Sequence, residues 1–138
     1  MLGLAKERVG DSVRVTFLHN DALTMPLPGV AHDVILTHFF LDCFDDQSAS
    51  CLIERISRTV SPGARWIISE FRAEQWWSRS LVSLLYLFFH ISTGLKTRRL
   101  PDYPRWLTQS GFVRQQRETS AGCLLVSEIW ERTPQVSL

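Results

Sequence analysis

DVILTHFFLDCF, residues Asp33 to Phe44, joins an apolar run to a polar and aromatic cluster with no spacer between them. Val34, Ile35 and Leu36 follow one another without polar alternation. A run so short and β-branched predicts a strand covered on both faces, as in a parallel sheet flanked by helices. It ends in Thr37, His38, Phe39, Phe40, Asp42 and Cys43. Open α/β sheets bind ligands at the carboxyl ends of their strands, so a site is expected at this cluster. Asp45 and Asp46 then lead into a periodic segment, which completes a strand–loop–helix unit.

Downstream, Ala49, Leu52, Ile53, Ile56 and Val60 recur at helical spacing and predict an amphipathic helix over Asp46 to Val60, stopped by Pro62-Gly63. Glu54 and Arg58 stand four apart on its polar face. Trp66 to Ser69 predicts a further strand ending in Glu70 and Phe71. Tyr103 to Ser110 reads as a short helix with Pro104 near its start and Gly111 past its end. Phe112 to Thr119 and Cys123 to Trp130 predict two strands. The joint Ser120-Ala121-Gly122 is too short for a helical crossover, so these two are antiparallel. Upstream, Leu2 to Arg8 reads as the end of a helix closed by Gly10, and Val13 to Leu18 as a strand. Pro26, Pro28 and Gly29 exclude a helix between that strand and the next. The pattern is α/β with a terminal hairpin.

A chain of 138 residues, 45% hydrophobic, is one domain with material for a core. A net charge of +1 excludes the strongly basic footprint of a general nucleic-acid binder. Cys43, Cys51 and Cys123 are odd in number and form no CxxC pair, which favours neither a disulfide framework nor a metal site. The charged N-terminal MLGLAKERVGD lacks the apolar core of an export signal, so none is expected. A reducing, cytoplasmic setting is expected.

Four segments in order carry a resemblance: RVTFLHNDALTMPLP (Arg14–Pro28), DVILTHFFLDCF, LIERISRTVSPGARWIISEF (Leu52–Phe71) and LTQSGFVRQQ (Leu107–Gln116). Together they resemble the C-terminal two-thirds of a class I S-adenosylmethionine-dependent methyltransferase. The resemblance implies a partial Rossmann-like sheet, the third to seventh strands of seven, closed by the antiparallel hairpin. It implies S-adenosylmethionine as cofactor, with Asp21 and Ala22 against the adenine and Thr37, His38 and Phe39 beside the methionine end. The family's glycine-rich turn, G-x-G-x-G after the first strand, has no counterpart, and Gly3 and Gly10 are the only glycines before Asp21. Residues 1–138 are therefore expected to form a single, N-terminally truncated domain. The expected activity is methyl transfer to a small, hydrophobic acceptor, because LYLFFHISTGLKTRRLPDY (Leu85–Tyr103) looks most like methyltransferases of quinones or lipid-like substrates. The resemblance thus implies that this chain alone supplies half of the cofactor crevice.

Two residues are catalytic candidates, each with a plainer alternative. His38 suits a general base, since an imidazole titrates near neutrality, or it is a satisfied structural group at a strand end. Asp42 orients His38 or a substrate ammonium, or it is a local hydrogen-bond acceptor. Asp21 taken alone passes as a turn residue. Methyl transfer asks mainly for alignment of nucleophile, methyl carbon and sulfur, so no dyad is required. Trp76 to Leu95 is the most apolar stretch, and its unbroken core, Leu81 to Ile91, is shorter than a bilayer span. It reads as a helix packed on the sheet or as a lid. The alternative is an interfacial helix between Trp76-Trp77 and Lys96, Arg98 and Arg99, giving peripheral membrane contact. A nicotinamide oxidoreductase would need a glycine fingerprint or a Tyr-x-x-x-Lys pair, and Tyr86 and Tyr103 have no lysine four residues on. The non-enzymatic alternative is an interaction or membrane-surface module. An apolar strand at an open sheet edge also predicts self-association.

Overall fold

The computed structural model describes residues 2–10, 14–27, 31–71, 101–120 and 124–134. Helix α1, Leu2–Val9, closes at Gly10, whose φ of 62° lets its N–H reach the Lys6 carbonyl at 3.0 Å. Strand β1, His32–His38, leads through a 3-10 turn at Leu41–Cys43 to α2, Asp46–Ser57. The Asp45 side chain caps α2 by accepting the Ser48 N–H at 2.7 Å. Strand β2 spans Val60–Phe71, α3 Tyr103–Gln109, β3 Phe112–Ser120 and β4 Leu125–Arg132.

The sheet order is β1-β2-β4-β3. β1 and β2 run parallel, while β4 lies antiparallel to both β2 and β3. The antiparallel pair expected at the end of the chain is therefore present, with its last strand inserted against β2. Alternation places Trp66, Ile68 and Glu70 of β2 on one face, beside Trp130, Glu128 and Val126 of β4. All six are buried. Leu52 and Ile53 of α2 and Leu107 of α3 pack on that face with Trp66, Ile68, Phe112 and Trp130 as one core. The Trp66 and Phe112 rings meet edge to face at 5.7 Å.

Three expectations are corrected. Arg14 to Leu18 forms no strand, so four strands are described where the third to seventh were expected. Its β-branched composition does not suffice without a buried face: Val15 and Leu18 stay 44% and 52% exposed. Among the described residues β1 is covered on one face only. Ile35 and Thr37 turn toward the core, whereas Val34 and Leu36 are 60% and 59% exposed. Pro62 and Gly63 do not sit in a turn after a helix that reaches Val60: α2 ends at Ser57, and both lie inside β2. The β1–β2 register shifts opposite them, between His32 and Val34, and Gly63 takes a φ of 80° there. The expected apolar helix, Trp76 to Leu95, lies outside the described residues.

Candidate functional site

β1 and β2 deliver their carboxyl ends side by side, with His38 opposite Ser69 in the register. Beyond that point β1 turns sharply. Phe39 has a φ of 49°, the left-handed region that a non-glycine residue enters at a cost of about 1 kcal/mol or more. Three backbone donors hold the strained turn against β2. The Phe39 N–H donates to the Ser69 carbonyl at 2.9 Å, and the Phe40 and Leu41 N–H groups donate to Glu70 Oε1 at 3.1 and 2.8 Å. The Phe39 ring stacks on Phe71 at 4.5 Å, which ties the next residue of β2 to the same turn.

Glu70 is fully buried. Its Oε2 has no hydrogen-bond partner among the described residues. Burial pushes its carboxyl up to about 7; the Leu41 N–H opposes that rise and the charge of Asp42 adds to it. Asp42 is itself 7% exposed, and burial raises its carboxyl as well. The Cys43 thiol donates to Asp42 Oδ1 at 3.6 Å, and burial together with Asp42 pushes the thiol up to about 11. Cys43 therefore stays a thiol at neutral pH and is no activated nucleophile. The other buried carboxylate, Glu128, is differently placed. It accepts from Arg114 at 3.1 Å and from the Trp130 indole at 2.9 Å, with Arg117 at 3.4 Å. That cluster is compensated by two arginines, whereas Glu70, among the described residues, faces backbone donors, the Asp42 carboxyl and the Cys43 thiol.

Thr37 and His38 end β1, and Phe39 and Asp42 lie in the turn that follows it directly. Thr37 is buried, and its hydroxyl accepts from the Trp66 indole at 3.0 Å. His38 is exposed at the strand end. Asp21 and Ala22 lie elsewhere. Asp21 Oδ1 accepts the Leu23 N–H at 2.9 Å and its carbonyl accepts from Met25 at 2.9 Å, a side-chain-stabilised turn. Arg55, in the last turn of α2, donates to the carbonyls of Ala22, Leu23 and Met25. The Asp21 turn is held at the C-terminal end of α2, while the Thr37–Asp42 loop leads into its N-terminal end. Glu70 is not among the residues that the sequence alone marks for the site. Its signal is the alternation Trp66, Ile68, Glu70, which puts a carboxylate in the core position of an apolar strand. Two open grooves, one of about 440 Å³ beside Arg58, Trp106 and Arg132 and one of about 640 Å³ beside Arg105 and Trp130, include none of the candidate residues. Thr37, His38, Phe39, Asp42 and Glu70 lie at the carboxyl ends of β1 and β2 instead.

No protein-family model matches the chain, and no curated protein matches it in sequence. Solved structures do. TnmH aligns with a TM-score of 0.70 at 21% identity, over 94% of this chain and 39% of its own. Human N-acetylserotonin methyltransferase, in complex with SAM, aligns at 0.66 and 21% identity, over 94% of this chain and 37% of its own. Magnesium protoporphyrin IX methyltransferase from Synechocystis, with bound SAH, aligns at 0.64 and 15% identity, over 96% and 57%. The fold is that of S-adenosylmethionine-dependent methyltransferases. The chain spans well under two thirds of the length of each of these three.

Proposed function

We propose that this chain forms the acceptor-side wall of an S-adenosylmethionine-dependent methyl-transfer site and acts on a small, hydrophobic acceptor. The observation that carries the reading is the strained Phe39 turn, pinned by Glu70 at the carboxyl ends of two parallel strands in a methyltransferase fold. Strained backbone held in place by surrounding contacts is found at sites where geometry matters to function. The likeness to a methyltransferase in complex with SAM and to another with bound SAH supports S-adenosylmethionine as the cofactor.

The residues fit one side of that molecule. His38 and Phe39 offer an exposed imidazole and an aromatic face where the methionine end would lie, and Asp21 and Ala22 offer a polar turn for the adenine. When bound, S-adenosylmethionine supplies an electrophilic methyl group on a sulfonium sulfur. Thr37 shapes the loop through its bond to Trp66, Phe39 lines it, and His38 receives a proton from the acceptor. Asp42, 7% exposed, borders the same loop and contributes negative charge for an acceptor carrying an amine. None of the 138 residues supplies a G-x-G-x-G turn, so close backbone approach to the cofactor is lacking in this chain.

Titration of the isotopically labelled chain with S-adenosylmethionine, followed by amide chemical shifts, tests the assignment. Weak binding is expected, with perturbations confined to Thr37–Asp42 and Asp21–Ala22. Shifts scattered over β3 and β4, or none at high ligand, would sink it. A second reading, an interaction or membrane-surface module, is favoured by the exposed apolar Val34 and Leu36. Co-sedimentation with anionic vesicles, without cofactor-induced shifts, would select that reading.

A further inference from the structure

We propose that Glu70 is the positioning residue of this site: its buried carboxylate clamps the backbone of Phe40 and Leu41 and so sets where His38, Phe39 and Asp42 stand. The proposal rests on the methyl-transfer reading only for what the loop serves; the clamp itself stands on geometry.

One oxygen of Glu70 takes two consecutive backbone donors, Phe40 N–H at 3.1 Å and Leu41 N–H at 2.8 Å. Bonds from an N–H to an ionised acceptor are stronger than neutral ones, and here the Leu41 bond is buried and the Phe40 bond part-buried. The segment clamped is the one that needs it, because Phe39 sits in the left-handed region without being glycine. A turn of that kind persists only where its surroundings over-determine it. Glu70 also lies next to Phe71, whose ring stacks on Phe39, so one dipeptide of β2 grips both sides of the strained residue. The second oxygen, Oε2, is buried with no hydrogen-bond partner among the described residues. A carboxylate left half-satisfied in a core is costly, and its retention calls for a reason beyond packing.

The clamp also has a switch. Protonation removes the charge that the Phe40 and Leu41 N–H groups bind, and Glu70 takes up its proton near neutrality, at about 7. The titratable groups facing it among the described residues are Asp42 and Cys43, both on the clamped loop. Neutralising Asp42 lowers the proton affinity of Glu70, because like charges no longer oppose its ionisation.

Amide NMR of the whole chain, with no cofactor added, tests this independently of any enzymatic activity. The Phe40 and Leu41 amides are expected to move together with pH through one midpoint near 7. Glu70→Gln, which keeps an acceptor oxygen but cannot titrate, should abolish that movement while preserving slow hydrogen exchange at both amides. Asp42→Asn should keep the movement and shift its midpoint down. Glu70→Ala should speed exchange at the two amides by more than about tenfold while Ile67 and Ile129 stay protected. If the movement survives in Glu70→Gln, or if Phe40 and Leu41 exchange as fast in the native chain as in Glu70→Ala, Glu70 is not the clamp. Should Glu70→Ala fail to fold, the Gln variant alone decides. Because no ligand is present, failure of the methyl-transfer reading leaves these outcomes unchanged.

Discussion

A carboxyl whose proton affinity is raised by burial weakens the folded state as it ionises, and Glu70 is such a group. Its ordinary value is 4.5 and its folded value about 7. Between those two pH values the folded chain binds more protons than the unfolded one. Stability contributed by the neutral form is therefore full below about 4.5 and is lost as pH rises through 7. The difference corresponds to about 3 kcal/mol as an upper bound. Thermal melts from pH 4.5 to 8 should show Tm falling with pH, and Glu70→Gln should flatten the profile and raise Tm at pH 8. A Tm that rises across this window in the native chain would count against a buried, uncompensated Glu70. Site residues differ in how far composition reveals them. His38 and Asp42 stand out because they interrupt an apolar run. Glu70 looks like an ordinary strand terminus until the alternation of β2 is registered against β4, a tertiary fact. The role of Asp21 as a turn former is local chemistry and legible from the residue type.

At the scale of elements, helices were more legible than strand edges, and the reason is physical. Helix α2 carries its own signals: the Asp45 cap, a core stripe of Ala49, Leu52 and Ile53, and an outward Glu54–Arg58 pair. Asp45→Ala should lower stability by about 1 kcal/mol, read as a shift of the denaturant midpoint with unchanged m-value. No shift would mean that α2 is held by packing alone. A strand carries no such closed set of signals, because half of its stabilisation is in its neighbour. Val13 to Leu18 has the composition of a strand, yet Arg14 to Leu18 is not one of the four strands of the sheet, while Pro62 and Gly63 look like a terminator and are absorbed as an irregularity in β2. The Asp21 turn illustrates a middle case. Its hydrogen bonds are local, but its place is set by Arg55, which α2 presents to the carbonyls of Ala22, Leu23 and Met25. Arg55→Ala should accelerate exchange at the Met25 amide and leave β2 and β4 untouched; equal protection in the variant would show that the turn needs no anchor.

For the whole molecule, the consequential feature is the outer edge of the sheet. β1 is bonded to β2 on one side and to no strand on the other among the described residues. Its face away from the core is apolar, with Val34 60% and Leu36 59% exposed and Phe39 44% exposed just beyond. Natural edge strands guard themselves with lysine, proline or an inward charge, and between Val34 and Thr37 there is none. Asp33 precedes the run and His38 follows it, so the centre is bare. Unpaired backbone donors and acceptors beside apolar side chains favour strand addition from a second copy, which satisfies the backbone and buries Val34 and Leu36 together. The chain alone is therefore expected to self-associate as concentration rises, and Leu36→Lys, which introduces a guarding charge without touching the core face, is expected to return it toward monomer. Size-exclusion chromatography with light scattering across a concentration series reads the outcome. A native chain that stays monomeric throughout and melts in one cooperative step would show that the edge is covered, and association undiminished in Leu36→Lys would place the contact elsewhere on the molecule.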